Sequence, residues 1–245
     1  MGIKLEVCVD NMESLYTAIR AGADRIELCT GLELGGITPS HGLMAQAIAQ
    51  STVPVYPIIR PRQGDFLFSD AEAEMMLSDI SNARELGAAG VVVGALCEDG
   101  SIHKELLVEM VNAAGPLGVT FHRAIDVCRD WQEALEIIIE SGCERVLTSG
   151  MQGDALSGSE CIAQMQQQAA KRLSVMAGAG VNQDNVAEIL RLSGIKEVHL
   201  SGKSYRPSAM SFQAPVSMGS VDDTRLNVAD YNKIHGVRQQ LDAWL

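Results

Sequence analysis

Val119-Thr120-Phe121-His122-Arg123-Ala124-Ile125-Asp126 is a short apolar run that breaks off in His, Arg and Asp, with a helical pattern after it. It reads as a buried strand that stops at a functional rim. The same reading extends outward in both directions. Apolar runs at 5–9, 25–29, 54–60, 90–96, 145–149, 174–177 and 197–201 each deliver a polar or sulfur side chain near the C-terminal end. Helical segments separate them: from a cap at Asp10 or Asn11 to Gly22, then 43–50, from Ser69 or Asp70 to Gly87, 104–114, 131–141, 157–171 and 184–192. Eight strands alternating with helices predict an α/β chain folded as a single TIM (β/α)8 barrel domain over 1–245, with its site at the C-terminal mouth. The rival is an open doubly wound sheet. The count of eight and the lack of a strand-linked Gly-x-Gly-x-x-Gly argue against it.

After Ser201 the period is lost. Residues 203–227 contain Pro, Ser, Met and Gly with no clear period and read as an irregular segment: a lid, an oligomer contact or a mobile stretch. Residues 228–245 read as a C-terminal amphipathic helix weakened by Gly236.

Composition narrows the function. The 245 residues are 47% hydrophobic and 20% charged, which suits a folded core. No apolar run is long enough to span a membrane, so no membrane partner is expected. Met1-Gly2-Ile3-Lys4-Leu5 leads straight into a strand without a basic region and an apolar stretch, so export is not expected. A net charge of −12 repels phosphate backbones, and no nucleic-acid partner is expected. The six cysteines, Cys8, Cys29, Cys97, Cys128, Cys143 and Cys161, form no Cys-x-x-Cys and are expected to be reduced thiols.

Side chains on a strand alternate faces. Leu5 and Val7, and Ile26 and Leu28, suit the helix layer. Glu6 with Cys8, and Glu27 with Cys29, must then face the barrel axis. The same logic sends Arg60, His122, Thr148 and His199 inward. A buried ionised carboxylate needs a partner, and Arg60, Arg62, Arg123, His122 and His199 can supply one. The set is either an ion-pair network filling the barrel or a polar pocket. As a pocket, it suits a lyase, isomerase or metal-dependent hydrolase acting on a small anionic or phosphorylated substrate. Glu6 or Glu27 would be the base and His122 or His199 the acid or electrophile. Arg60 and Arg62 would clamp the anion, and Asp126 would join the group. A divalent metal held by Glu, His and Asp is a variant of this reading. Cys8 and Cys29 end adjacent strands, so two thiolates could meet there and favour a soft ion such as Cu(I); the plainer reading is two small buried hydrophobes. Gly178-Ala179-Gly180 and Ser201-Gly202-Lys203 follow the last two barrel strands, where Gly178, Gly180 and Ser201 form a candidate anion site.

Longer blocks carry a resemblance. They are Leu5-Glu6-Val7-Cys8, Gly22-Ala23-Asp24-Arg25-Ile26-Glu27-Leu28-Cys29, Gly35-Gly36-Ile37-Thr38-Pro39-Ser40 and Ile59-Arg60-Pro61-Arg62-Gln63-Gly64-Asp65-Phe66. They continue with Thr120-Phe121-His122-Arg123-Ala124-Ile125-Asp126, Arg145-Val146-Leu147-Thr148-Ser149-Gly150 and Ala177-Gly178-Ala179-Gly180. Together, from the first strand to about Ser201, the chain resembles the CutC family of copper homeostasis proteins. The resemblance implies a cytoplasmic TIM barrel, a homo-oligomer, and a link to copper tolerance. It places Cys8 and Cys29 where the family's proposed Cu(I)-binding cysteines stand. Gln63 replaces a usual Gly and Ile125 a usual Phe, and neither change touches a proposed ligand. Carboxylates and guanidinium groups are poor ligands for Cu(I), so the enzyme reading of the mouth stands beside the copper reading.

Overall fold

The inner strands are three to six residues long and buried on both faces, which is why they appear as apolar runs rather than strict alternations. The computed structural model describes residues 2–212, 215–216 and 222–244. Its order is β1 (Lys4–Val9), α1 (Met12–Arg20), β2 (Arg25–Leu28), α2 (His41–Gln50), β3 (Val55–Pro57), α3 (Asp70–Glu85), β4 (Gly90–Val93) and α4 (Lys104–Ala114). Then come β5 (Gly118–Phe121), α5 (Trp131–Glu140), β6 (Arg145–Thr148), α6 (Ser159–Ala169), β7 (Ser174–Ala177), α7 (Val186–Ser193), β8 (Glu197–Leu200), β9 (Lys203–Pro207), β10 (Arg225–Ala229) and α8 (Tyr231–Asp242).

Strands β1 to β8 form one parallel sheet in the order β3-β2-β1-β8-β7-β6-β5-β4. Its ends meet through a parallel bridge between Ile58 and Val92, where the Ile59 amide donates to the Val92 carbonyl at 2.8 Å. Ala89 donates to Val55 at 3.1 Å on the same seam. This is the predicted TIM barrel. The helices start where local chemistry allows. Asn11, not Asp10, caps α1 by accepting from the Ser14 amide at 2.8 Å. Ser69, not Asp70, opens α3 in a reciprocal capping box with Glu72. α6 ends before Ala170 and Lys171, whose φ angles of 48° and 69° leave the helical region.

The two faces of the barrel sheet carry different chemistry. Outward side chains such as Leu5, Val7, Ile26, Leu28, Val91, Val93, Phe121, Val146 and Val198 join the helices in one continuous apolar core. The inward face holds a small soft cluster of Cys8, Cys29, Tyr56, Ile58 and Val92. Towards the strand N-termini it turns ionic. Arg25 donates to Glu6 at 2.5 Å and to Glu197 at 2.7 Å. Arg145 donates to the same Glu197 oxygen at 2.6 Å, to Glu144 at 2.7 Å and to Thr120 at 3.0 Å. Both guanidinium groups lie against the Tyr56 ring, at 5.4 and 5.7 Å, and the Tyr56 hydroxyl donates to Glu144 at 2.9 Å. That ring fits because Gly90 and Gly118, register partners on β4 and β5, make room for it. A Cβ on Gly90 would overlap the ring, and one on Gly118 would lie 2.5 Å from its hydroxyl.

The segment read as irregular is ordered at both ends. β9 and β10 pair antiparallel from Lys203–Ala229 to Pro207–Arg225. Polar, partly exposed residues such as Ser204, Tyr205 and Arg206 hid this strand from a hydrophobic pattern. The hairpin sits on the start of α1: Arg206 pairs with Glu13, and the Ala229 amide donates to Ser14 at 2.9 Å. The middle of the segment, residues 213, 214 and 217–221, lies outside the described residues. The C-terminal helix is present as α8, which buries Ile234, Val237 and Leu241. Among the described residues no helix is long and apolar enough to cross a membrane.

Gly90→Ala is expected to lower stability by about 1–3 kcal/mol or more, the scale of overpacking, read as a lower urea midpoint. An unchanged midpoint would show that Tyr56 is free to retreat. Arg25→Met is expected to cost about 3–5 kcal/mol at neutral pH, because it takes the guanidinium from two buried carboxylates and leaves Glu6 with His199 alone. Burial alone would raise the Glu6 carboxyl, but Arg25 and His199 bring it down from 4.5 to about 2. Its contribution is therefore complete above 4.5 and lost as pH falls towards 2. Urea unfolding across that window should bring wild type and Arg25→Met together in acid; a constant gap would contradict the assignment.

Candidate functional site

The strand C-termini open on a cavity of about 440 Å³. Cys8, Glu27, Arg60, His122 and His199 line it, as do Gly180 and Ser201 from the last two barrel loops. Glu6, Cys29, Asp126 and Gly178, expected in the same mouth or anion site, are not on its wall.

Glu6 lies one step deeper. It is fully buried, and its carboxylate is held between Arg25 and His199, whose Nδ1 is 2.8 Å from Oε1. An ionised, doubly held carboxylate is a positioning group and a poor general base. It fixes the His199 ring with Nδ1–H towards Glu6, leaving Nε2 as the free ring nitrogen. Burial would lower the His199 pKa, but Glu27 and Glu6 together raise it. Glu27 is the opposite case. Burial raises its pKa, only partly offset by His199, and its Oε2 has no hydrogen-bond partner.

The two cysteines meet as their strand positions suggested. Their sulfurs are 3.6 Å apart and not cross-linked. Only Cys8 reaches the cavity; Cys29 is fully buried behind it. The hydrogen bond to Cys29, with burial, pushes the Cys8 thiol well above its ordinary range. The Cys8 sulfur lies with a Glu27 oxygen and a His199 ring nitrogen inside a group spanning at most 4.8 Å. These donors could hold a metal.

Arg60 and His122 form a second face of the cavity, joined by Phe66. The Arg60 guanidinium lies 4.9 Å from the Phe66 ring centre, and the His122 ring 4.8 Å from it. Arg60 donates to the carbonyls of Leu34, Gly35, Gly36 and Gly64, at 3.4, 3.4, 3.3 and 2.7 Å. The glycine-rich loop after β2 thus serves as a carbonyl cradle for this cation. His122 accepts from the Ala124 amide through Nδ1 at 3.2 Å. Burial, with the nearby Arg60 charge, lowers its pKa to about 3, so the ring is neutral.

Several expectations are corrected by their contacts. Asp126 accepts from Thr148 Oγ1 (2.5 Å), from the amide and hydroxyl of Ser149 and from Arg123 (2.8 Å), so it pins the loop after β6. Thr148 points away from the axis; its strand neighbour Leu147 lines the cavity instead. Arg62 does not clamp the mouth but pairs with Glu72 at 2.6 Å and Asp65 at 3.0 Å. Gly178 leaves space for protein: a Cβ there would lie 2.7 Å from Leu147. Of the residues in 203–227, Lys203 alone is on the cavity wall among those described. Arg25, Arg145 and Glu197 were missed as interior residues. The alternation that placed Glu27 and His199 inward also places Arg25 and Glu197, two positions earlier on the same strands, beside them.

Comparison with known proteins agrees with this architecture. The CutC family profile matches residues 3–204. A CutC family protein of Photobacterium profundum is 50% identical over 240 residues, covering 97% of this chain and 98% of the relative. One from Pasteurella multocida is 47% identical over 244 residues, covering 99% and 100%. A solved structure assigned as the copper homeostasis protein CutC of Streptococcus agalactiae has a TM-score of 0.77 at 30% identity, covering 80% of this chain and 97% of that one. Phosphoribosylanthranilate isomerase of Thermotoga maritima has a TM-score of 0.59 at 12% identity, covering 98% and 99%, a likeness of fold alone. By sequence along most of its length, and by its barrel, this chain belongs to the CutC family.

Proposed function

We propose that the chain works in copper homeostasis by holding Cu(I) between Cys8 and Cys29, in the cytoplasm and as a homo-oligomer. The observation that carries this reading is the thiol pair: two uncrosslinked sulfurs 3.6 Å apart on adjacent strands, one of them open to the cavity. Soft sulfur donors suit Cu(I). Two metal–sulfur bonds of about 2.3 Å, the zinc–thiolate length, would span roughly 4.6 Å if collinear. A 3.6 Å pair therefore suits a bent arrangement, open on one side to a third donor. His199 is the neighbour that fits, since Glu6 occupies its Nδ1 and leaves Nε2 available. Glu27, a hard carboxylate, is a poor copper ligand, but one of its oxygens lies within 4.8 Å of the Cys8 sulfur, near enough to take up the thiol proton. Copper in this reading is cargo, taken from and returned to the open mouth.

Anaerobic Cu(I) titration against a competing chelator tests the site. Wild type is expected to bind one equivalent per chain, and Cys8→Ser/Cys29→Ser to lose it; equal affinity in the variant would overturn the assignment. His199→Ala is expected to weaken binding by about 10–100-fold, the usual effect of removing a group that supports a metal site. The apparent affinity is also expected to fall on acidification, by about ten-fold per pH unit for each proton displaced, because the Cys8 thiol must release its proton. A pH-independent affinity would contradict thiolate ligation.

A further inference from the structure

We infer that the mouth also binds a small organic monoanion, a carboxylate that carries a hydroxyl or carbonyl oxygen as well, anchored by Arg60 and His122. Three lining residues each leave one buried polar atom without a partner: Arg60 Nε, His122 Nε2 and Glu27 Oε2. These residues are 7%, 4% and 5% exposed, and buried polar groups are ordinarily paired. The other unpartnered buried side-chain atoms among the described residues, on Asn227 and Arg238, lie off this wall.

Arg60 is the decisive residue. It is a buried cation with no carboxylate partner among the described residues, and burial and Arg62 lower its pKa. Four backbone carbonyls from two loops hold its terminal nitrogens, and its Nε–H is left over. A buried charge without a counter-ion is costly, and a bound anion removes that cost. His122 adds a neutral donor. Its Nδ1 accepts from Ala124, so the ring proton resides on Nε2, the atom without a partner. The fold makes room for this ring: a Cβ on Gly94 would overlap it.

The donor set sets the ligand class. One fixed positive charge and two buried N–H groups match one carboxylate. A phosphate dianion would bring a second charge, whereas the other basic side chains on this wall are Arg123, already paired with Asp126, His199, held by Glu6, and the exposed Lys203. Glu27 Oε2 offers the same cavity a partner for a ligand hydroxyl or carbonyl. A volume of about 440 Å³ accommodates a few-carbon acid. Neither sulfur takes part in this anion site, which stands independently of the copper reading.

The test is a titration of metal-free, reduced protein with L-lactate, and separately with inorganic phosphate, following the His122 Nε2–H resonance in 15N-labelled protein. Lactate is expected to shift that resonance saturably, to bind more tightly than phosphate, and to bind equally to Cys8→Ser/Cys29→Ser. Arg60→Gln is expected to weaken binding by about ten-fold or more, while Arg60→Lys retains more of it. The wild-type titration stands even if the Arg60 variants lose their loop structure. No saturable shift up to roughly 100 mM lactate would overturn the site. Tighter binding of phosphate would overturn the ligand class, and loss of the response in the double-serine variant would overturn its independence from the thiols.

Discussion

Arg25 stands between Glu6 and Glu197 in the interior of the barrel, and the mouth is built on that contact. A guanidinium between two carboxylates lets charges that would be intolerable alone be buried together. Because Arg25 keeps Glu6 ionised, Glu6 can hold His199 by Nδ1. Because His199 is held, Glu27 and Cys8 have a fixed neighbour in the cavity. Each step up the barrel borrows its geometry from the step below, and the lowest step is an ion pair.

The interior is layered by hardness. At the strand N-termini lie carboxylates, guanidinium groups and the Tyr56 hydroxyl. In the middle lie Cys8, Cys29, Ile58 and Val92, soft and nearly apolar. At the mouth lie Arg60 and His122, donors without full partners. The first layer satisfies itself, whereas the last does not. That contrast separates polar residues that hold the fold from those that await something, and it explains why an inward polar set was both an ion-pair network and a pocket.

Much of this was legible in the chain. Eight apolar runs ending in chemistry-bearing residues pointed to the barrel, and period-two alternation brought Cys8, Glu27, His122 and His199 to one interior. At Thr148 the rule was applied in the wrong phase: Arg145 and Leu147 face the interior, so Thr148 falls on the outer side with Val146, where it donates to Asp126. Sequence could not say which of Glu6 and Glu27 would face the cavity, since depth along a barrel axis depends on strand stagger. Nor could it assign the partners of Arg60: backbone carbonyls leave no signature in residue types. The β9–β10 hairpin was invisible for a related reason, as its pairing is made by main-chain groups under polar side chains.

The carbonyl cradle has a reach beyond Arg60. Gly36 gives one of its carbonyls to Arg60, and a Cβ on Gly36 would sit 3.2 Å from the Cβ of Cys29. The same residue therefore forms part of the seat of the cation and part of the wall behind the thiol pair. One residue thus separates the guanidinium from the packing around sulfur. Sharing a wall is not sharing donors, and any influence passed across it is reciprocal: whatever factor one occupant imposes on the other's affinity is returned unchanged.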